Sequence, residues 1–299
     1  MKFNVKKFVI YLAITMVASF AIAGIILAVT GNFSIATEQI DESKTFKAQE
    51  ISEIYIDLTS TDINIIPVED EEITVHFYGV VSTNIKRDIP SLVAYKSGDE
   101  LRIEIVRPKI ILIGFSVFRT NLDVYIPESS IEALKIETVS SDTSVSNLKV
   151  DKFSFGAVSG DFKGESLFAS DLKINSTSGD ISLKEYKGDI NINNVSGDVV
   201  LEDGDPNDNI EVVTVSGEVY VEQEDPSNMN IRTIAGGVEI NLSKDARFYL
   251  KAKTVSGDIE NSFPIKITSS GGRDLEGIVG SDEKEINLST TAGDIDIDY

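Results

Sequence analysis

From residue 134 onward, apolar and polar positions repeat in a unit of about 19 residues, with two short alternating arms on either side of a turn. The turn reads Thr-Val-Ser-Gly-Asp in the copy at 254–258. Apolar residues stand seven and five positions before the Gly and two and, less regularly, four positions after it. These offsets are even within each arm, so the apolar side chains share one face of a β-strand. The Gly-type positions of the copies are Ser141, Gly160, Gly179, Gly197, Gly217, Gly236, Gly257 and Gly293.

This repeat predicts an all-β fold, specifically a β-solenoid (β-helix). One unit cannot bury its apolar face alone, whereas stacked units close a common core with coils about 4.8 Å apart. Equivalent residues then lie above one another, for example Ile174 over Ile192 over Val212. The last interval between Gly positions is 36 residues, about two units. We therefore expect a degenerate coil there, in which Ile265 and Ile267 precede Gly272.

The repeat also occurs near the start of the chain, where Ile54, Ile56, Ile63 and Ile65 hold the four apolar positions. Between Ile66 and Leu134 the periodicity is lost. Three alternating runs remain, bounded by turn or breaker residues. They predict either longer, less regular coils or an inserted sheet that covers the N-terminal end of the solenoid. These runs are residues 73–77, 101–105 and 122–126.

The first thirty residues differ from the rest of the chain. Residues 8–29, from Phe8 to Val29, carry no charge, and the charges before them are all basic. Such a run predicts one transmembrane α-helix with its N-terminus in the cytoplasm. A signal peptide cleaved after Ala21-Ile-Ala23 is the alternative. The predicted layout is a cytoplasmic tail (1–7), a transmembrane helix (8–29), a linker (30–43) and an extracytoplasmic β-solenoid (44–299), irregular over 66–133 and regular over 134–299.

Composition excludes several classes of function. The chain has 27 Lys+Arg against 49 Asp+Glu, a formal net charge of −22, a single His and no Cys. Without Cys there are no disulfides, thiol nucleophiles or Cys-ligated metals. The acidic balance argues against nucleic acid as a partner. His76 alternates with apolar residues in a strand-like run and has no nucleophile motif nearby, so we interpret it as a surface residue.

The Val-Ser-Gly-Asp coils, the leading apolar span and the Gly-rich stretch 271–280 resemble the bacterial putative-adhesin family of β-solenoid domains. Within that family the chain is similar to the LiaG-like membrane-anchored envelope-stress proteins of Gram-positive bacteria. The resemblance covers residues 44–299. It implies a solenoid fold and an envelope location. It supplies no catalytic residues, because the family is largely uncharacterised.

Acidic residues supply two candidate sites. One acid follows most of the turn glycines, and these side chains either accept backbone N–H groups at the corner or bind cations as a ladder. The loop at 202–209 places Asp203, Asp205 and Asp208 close together, which partly imitates a calcium loop. It lacks the downstream bidentate Glu, so an acidic solvated loop is the favoured interpretation. No other cofactor is expected. The recurring acids are Asp142, Asp161, Asp180, Asp198, Glu218, Asp258 and Asp294.

The densest apolar run outside the first thirty residues lies at 110–118. It is either a strand buried on both faces or an exposed patch that contacts a partner or the membrane. Its large apolar residues are Ile110, Ile111, Leu112, Ile113, Phe115 and Phe118.

The sequence therefore predicts a non-enzymatic, single-pass membrane protein. Its extracytoplasmic solenoid would bind or scaffold an envelope protein or a cell-wall polymer, in connection with the envelope-stress response that the resemblance implies. A surface adhesin or cell-wall glycan binder is the first alternative, and a carbohydrate-active enzyme on a β-helix is the second. Aromatic rings aligned on an outward face would favour glycans, with Tyr186, Tyr220 and Tyr249 as candidates.

Overall fold

A computed structural model describes residues 11–12, 14–22, 24, 37–82, 89–106, 118–128, 131–281 and 283–299. In these residues it contains 25 strands in two sheets and a short 3-10 helix, Ala48–Glu50. Residues 11–12, 14–22 and 24 are helical. No helix within the described ranges is long and apolar enough to cross a membrane. The rest of the predicted span 8–29 lies outside the described residues.

Sheet A contains twelve strands in the described part of the chain. With labels in chain order, its spatial order is β1 (Thr37–Lys47), β4 (Glu72–Ser82), β7 (Phe118–Pro127), β3 (Asp62–Val68), β9 (Thr143–Ser146), β11 (Phe162–Glu165), β13 (Ile181–Lys184), β15 (Val199–Glu202), β17 (Val219–Gln223), β19 (Val238–Leu242), β25 (Ile295–Asp298) and β21 (Ile259–Asn261).

Sheet B contains the other thirteen strands of the described ranges. Its spatial order is β22 (Lys266–Gly271), β23 (Asp274–Val279), β20 (Phe248–Lys253), β24 (Glu285–Ser289), β18 (Asn228–Arg232), β16 (Asn209–Ser216), β14 (Lys187–Ser196), β12 (Phe168–Ser178), β10 (Lys149–Ser159), β8 (Ala133–Ser140), β2 (Glu53–Leu58), β6 (Glu100–Val106) and β5 (Ser91–Ser97).

The predicted all-β stack of parallel coils is confirmed. Each coil contributes one strand to each sheet, and strands of successive coils pair in parallel. Ile174 pairs with Ile192, and Ile192 pairs with Val212, as the repeat requires. The apolar faces of both sheets form one core, in which the rings of Phe155 and Phe162 pack across the sheets at 4.6 Å between centroids.

At the N-terminal end, antiparallel strands cover the stack, as expected from the lost periodicity. The first coil (β2 and β3) pairs directly with β8 and β9, and the coil formed by β6 and β7 lies outside it. Beyond these coils, β4 and β1 extend sheet A, and β5 extends sheet B. Strand β1 begins at Thr37, so residues 37–43, which the sequence analysis placed in the linker, belong to the sheet.

Side chains of β1 close the free edge of β5. The Glu42 carboxylate accepts the Leu92 backbone N–H at 2.8 Å, and the Lys44 ammonium donates to the Ala94 carbonyl at 3.4 Å. An edge strand with unpaired backbone groups invites pairing with other chains. Glu42 and Lys44 therefore block this edge with charged groups.

The C-terminal end corrects one prediction. The expected degenerate coil near Gly272 is absent from the described residues, since β22 and β23 form an antiparallel hairpin there. This hairpin pairs with the outer edge of β20. The last coil, β24 and β25, is then inserted between the coil of β18 and β19 and the coil of β20 and β21. Sequence order and spatial order therefore differ at this end of the stack.

Candidate binding surfaces

Glycines stack directly upon one another at the turn between the two sheets. Gly197 has φ +118°, and a Cβ atom at this position would lie 2.2 Å from the carbonyl oxygen of Gly179 in the neighbouring coil. Both the backbone conformation and the short distance therefore require glycine. The Gly in the repeat is explained by coil stacking.

The acid that follows the glycine links consecutive coils. The Asp142 carboxylate accepts the backbone N–H of Asp161 at 3.0 Å, and Asp161 accepts that of Asp180 at 2.9 Å. The Asp180 carboxylate accepts the backbone N–H of Asp198 at 2.9 Å, and the Asp198 carboxylate accepts that of Glu218 at 2.8 Å. The hydrogen bonds support the turn role of these acids rather than the cation ladder. Each of these bonds joins two neighbouring coils.

The same turn exposes one apolar side chain in most coils. Ile234 is 53% exposed, although Ile231 in the same coil is fully buried. The exposed side chains form an apolar line beside the acidic ladder. Its large members are Val139, Val158, Val195, Val215, Ile234 and Val255.

In the acidic loop, Asp205 is already occupied by protein groups. Its carboxylate lies 2.8 Å from the Lys187 ammonium, and its other oxygen accepts the backbone and side-chain N–H groups of Asn207, both at 2.9 Å. The hydrogen bond from Lys187, followed by those from Asn207, lowers the pKa of Asp205 to about 2. An ammonium group therefore holds the position at which a cation would neutralise this carboxylate.

The other two acids of this loop also face protein groups. Asp208 accepts the backbone N–H of Gly188. Asp203 has a positive φ of 56°, and its carboxylate lies 4.0 Å from the Lys184 ammonium. No group of three or more His, Asp or Glu residues in the described ranges is arranged to hold a metal ion. Hydrogen bonds and ion pairs therefore fix the conformation of this acidic loop.

Replacing Asp205 with asparagine should remove a pH-dependent part of the stability. The folded pKa of about 2 lies below the unfolded value of about 3.9, so ionised Asp205 stabilises the fold. This contribution is complete above pH 4 and disappears as the pH falls toward 2. Urea unfolding at several pH values should show a wild-type advantage over Asp205→Asn that shrinks across this window. The control Asp225→Asn, at an exposed acid of the next loop, measures the effect of removing a surface charge alone. A constant difference would contradict the assignment.

Of the large apolar residues in the predicted patch, the structure describes only Phe118. Ile110, Ile111, Leu112, Ile113 and Phe115 lie outside the described residues. Phe118 is the first residue of β7, is 37% exposed and pairs with Val81 of β4.

Two of the candidate tyrosines face outward. The Tyr220 hydroxyl donates to Glu222 at 2.7 Å on sheet A, and the Tyr249 hydroxyl donates to Glu276 on sheet B. The expectation for Tyr186 was wrong, because its ring is buried beneath Gly204. The rings therefore do not form one aligned outward row.

A polar groove of about 760 Å³ crosses the outer face of sheet B over β18, β24, β20 and β23. The strand register places Arg232, Ser289 and Lys253 in one row, and Asn230, Asn287 and Lys251 in the next. Nothing in the amino-acid sequence singles out these residues, because they become neighbours only through the inserted last coil. The 36-residue interval was the only signal that this region is irregular.

The groove contains both paired and unpaired charges. Lys251 lies 2.7 Å from Glu285, and this hydrogen bond raises the pKa of Lys251 and lowers that of Glu285. Hydrogen bonding to Glu276 raises the pKa of Tyr249. By contrast, the exposed side chains of Arg232 and Lys253 form no hydrogen bond or ion pair among the described residues.

Comparison with solved structures gives matches at low identity. A putative adhesin from Bacteroides fragilis is 14% identical, with 89% of this chain and 99% of that chain covered and a TM-score of 0.39. A putative cell adhesion protein from Clostridium sporogenes is 14% identical, with 87% and 99% covered and a TM-score of 0.34. A putative lipid binding protein from Parabacteroides distasonis is 16% identical, with 86% and 96% covered and a TM-score of 0.33. A search of curated proteins found no match.

The family assignment rests on the sequence profile. The profile of the family described as Toastrack DUF4097 matches residues 51–298, which include both the regular coils and most of the N-terminal cover. The predicted family resemblance is confirmed. The chain belongs to the Toastrack DUF4097 family.

Proposed function

We propose that this protein is a non-enzymatic binding or scaffold protein of the bacterial cell envelope, anchored by residues 8–29. Its N-terminus would lie in the cytoplasm, and its β-solenoid would lie outside the cytoplasmic membrane. The partner would be an envelope protein or a cell-wall polymer, within the envelope-stress response that the sequence resemblance implies.

The register at the N-terminal end of sheet A carries this proposal. Thr37, the first residue of β1, pairs with Ser82, and the neighbouring Val81 pairs with Phe118. Thr37 follows the apolar span by a short stretch, and Phe118 ends the apolar run 110–118. The chain therefore enters the sheet at the same corner at which this second apolar run joins it.

Chain length supports a position close to the membrane. Residues 30–36 separate the predicted span from β1 and can reach about 24 Å when fully extended. If residues 8–29 cross the membrane, this corner of the solenoid lies within that distance of the bilayer. Residues 110–118 would then contact the membrane or a membrane-embedded partner.

A photo-cross-linking amino acid at position 113 in intact cells tests this contact. The matched control is the same amino acid at position 234, where the native Ile234 is exposed on the regular coils. We expect a discrete adduct with a membrane lipid or an envelope protein at position 113 only. Equal labelling at both positions, or none at position 113, would contradict the proposal.

A cell-wall glycan binder, including a surface adhesin, is the second candidate. The polar groove on sheet B favours it, because amide, hydroxyl and charged groups converge there beside the Tyr249 ring. A carbohydrate-active enzyme remains an alternative that an isolated carboxylate pair would favour. In the groove, Glu276 and Glu285 are each bonded to Tyr249 or Lys251.

A further inference from the structure

The inserted last coil creates a row of polar side chains from three segments that are distant in sequence. Arg232 of β18 pairs with Ser289 of β24, and Ser289 pairs with Lys253 of β20. Neighbouring strands lie about 4.8 Å apart, so the two cationic side chains start about 10 Å apart, with a hydroxyl between them. The site exists only because β24 separates β18 from β20.

The row places two cations on the surface of a strongly acidic molecule. The chain has a net charge of −22, and many of its cations are held by acids or carbonyl groups. Arg232 and Lys253 are exposed and form no side-chain hydrogen bond or ion pair in the described ranges, although Asp274 of β23 lies opposite Lys253 in the strand register. Two free cations beside a hydroxyl favour a carboxylate or a phosphate group, which accepts charge-assisted hydrogen bonds.

The polar surface extends beyond the row formed by Arg232, Ser289 and Lys253. A second groove of about 430 Å³ continues from it over β16 and shares Asn230, Asn287 and Glu285 with the first. It adds Asn209 and Asn228, which are hydrogen-bonded to each other at 3.2 Å, and the carboxylate of Glu211. The five strands from β16 to β23 span about 19 Å at 4.8 Å per strand. An extended chain fits such a track better than a small molecule does.

We propose that this track, formed on β16, β18, β24, β20 and β23, binds an anionic glycan. Its carboxylate or phosphate groups would contact Arg232 and Lys253, and its hydroxyl groups would contact the asparagine side chains. The inference rests on the proposed binding function and supplies a ligand class for it.

Other classes of anionic polymer fit less well. Asp274, Glu276 and Glu285 also line the groove and would repel a densely charged polymer such as nucleic acid. A glycan with widely spaced anionic groups can place them at the two cations and avoid the carboxylates. The side-chain amides of Asn230 and Asn287 can both donate to and accept from sugar hydroxyls.

Binding of the purified full-length protein in detergent to defined polymers tests the proposal. The probes are hyaluronan, which has one carboxylate per disaccharide, and a phosphorylated mannan for phosphates, with neutral dextran and polyglutamate as references. We expect one of the two charged glycans to bind, and the variant Arg232→Ala/Lys253→Ala to bind it about tenfold or more weakly. The probe that binds identifies the anionic group.

The matched control is Lys152→Ala/Lys173→Ala, which removes two exposed cations from β10 and β12 of the same sheet. We expect its affinity to stay close to that of the wild type. Equal losses in both variants, equal binding of polyglutamate, or no binding of either charged polymer would overturn the proposal. Circular dichroism confirms that both variants are folded. This assay does not depend on membrane topology. Absence of binding would therefore contradict the glycan proposal without contradicting the proposed membrane anchoring.

Discussion

Replacing Gly197 with alanine is expected to lower the free energy of unfolding by about 2–6 kcal/mol. The new Cβ would lie 2.2 Å from the Gly179 carbonyl oxygen, and φ is +118°. The alanine therefore adds backbone strain and forces two coils apart in the middle of the stack. Urea unfolding of the full-length protein, followed by circular dichroism, measures this loss.

Gly272→Ala is the matched control. This glycine lies in the turn of the terminal hairpin, its φ is not in the left-handed region and no atom lies within 4 Å of a Cβ at this position. We expect a change within about 0.5 kcal/mol. Similar losses for the two variants would show that coil stacking does not depend on the glycine ladder.

Replacing Ile231 with alanine is expected to cost about 2–5 kcal/mol, because a fully buried isoleucine leaves a cavity between the sheets. The same substitution at Ile234, three residues later in the same coil and 53% exposed, should change stability by about 0.5 kcal/mol or less. Thermal or urea unfolding of the two variants gives the comparison. Equal effects would contradict the assignment of inward and outward positions in the repeat.

The regular coils could be predicted because they are encoded locally. Even spacing of apolar residues determines which side chains face the core, and the Gly in each turn marks the corner. The predicted stacking of Ile174, Ile192 and Val212 is therefore observed without any register error. Each coil needs only its neighbour, so no long-range information was required there.

The order of the coils at the two ends could not be predicted in this way. No sequence signal identifies which coil packs next to a given coil, because every coil has the same type of strand edge. Thus Ile54 pairs with Leu134 across a long intervening segment, and Ile286 is inserted between Met229 and Leu250. The candidate groove depends on this insertion, so neither Arg232 nor Lys253 stood out in the sequence.

The role of the recurrent acid shows a second limit. The sequence allowed both hydrogen bonding at the turn and cation binding, since both use the same carboxylate. The geometry favours the former, because Asp161 and its equivalents accept N–H groups from the next coil. Similarly, the spacing of Asp203, Asp205 and Asp208 left calcium binding open beside the favoured acidic loop, because the contact between Asp205 and Lys187 depends on tertiary structure.

Measuring the side of the membrane on which the solenoid lies tests the proposed function most directly. The chain contains no Cys, so a single introduced cysteine can be labelled without background. Thr177→Cys places a thiol on the exposed corner of the solenoid, and Asn4→Cys places one before the predicted span. Spheroplasts are treated with a membrane-impermeant maleimide. We expect Thr177→Cys to be labelled in intact spheroplasts and Asn4→Cys to be labelled only after lysis. Labelling of Asn4→Cys in intact spheroplasts, or protection of Thr177→Cys, would contradict an extracytoplasmic solenoid anchored through residues 8–29.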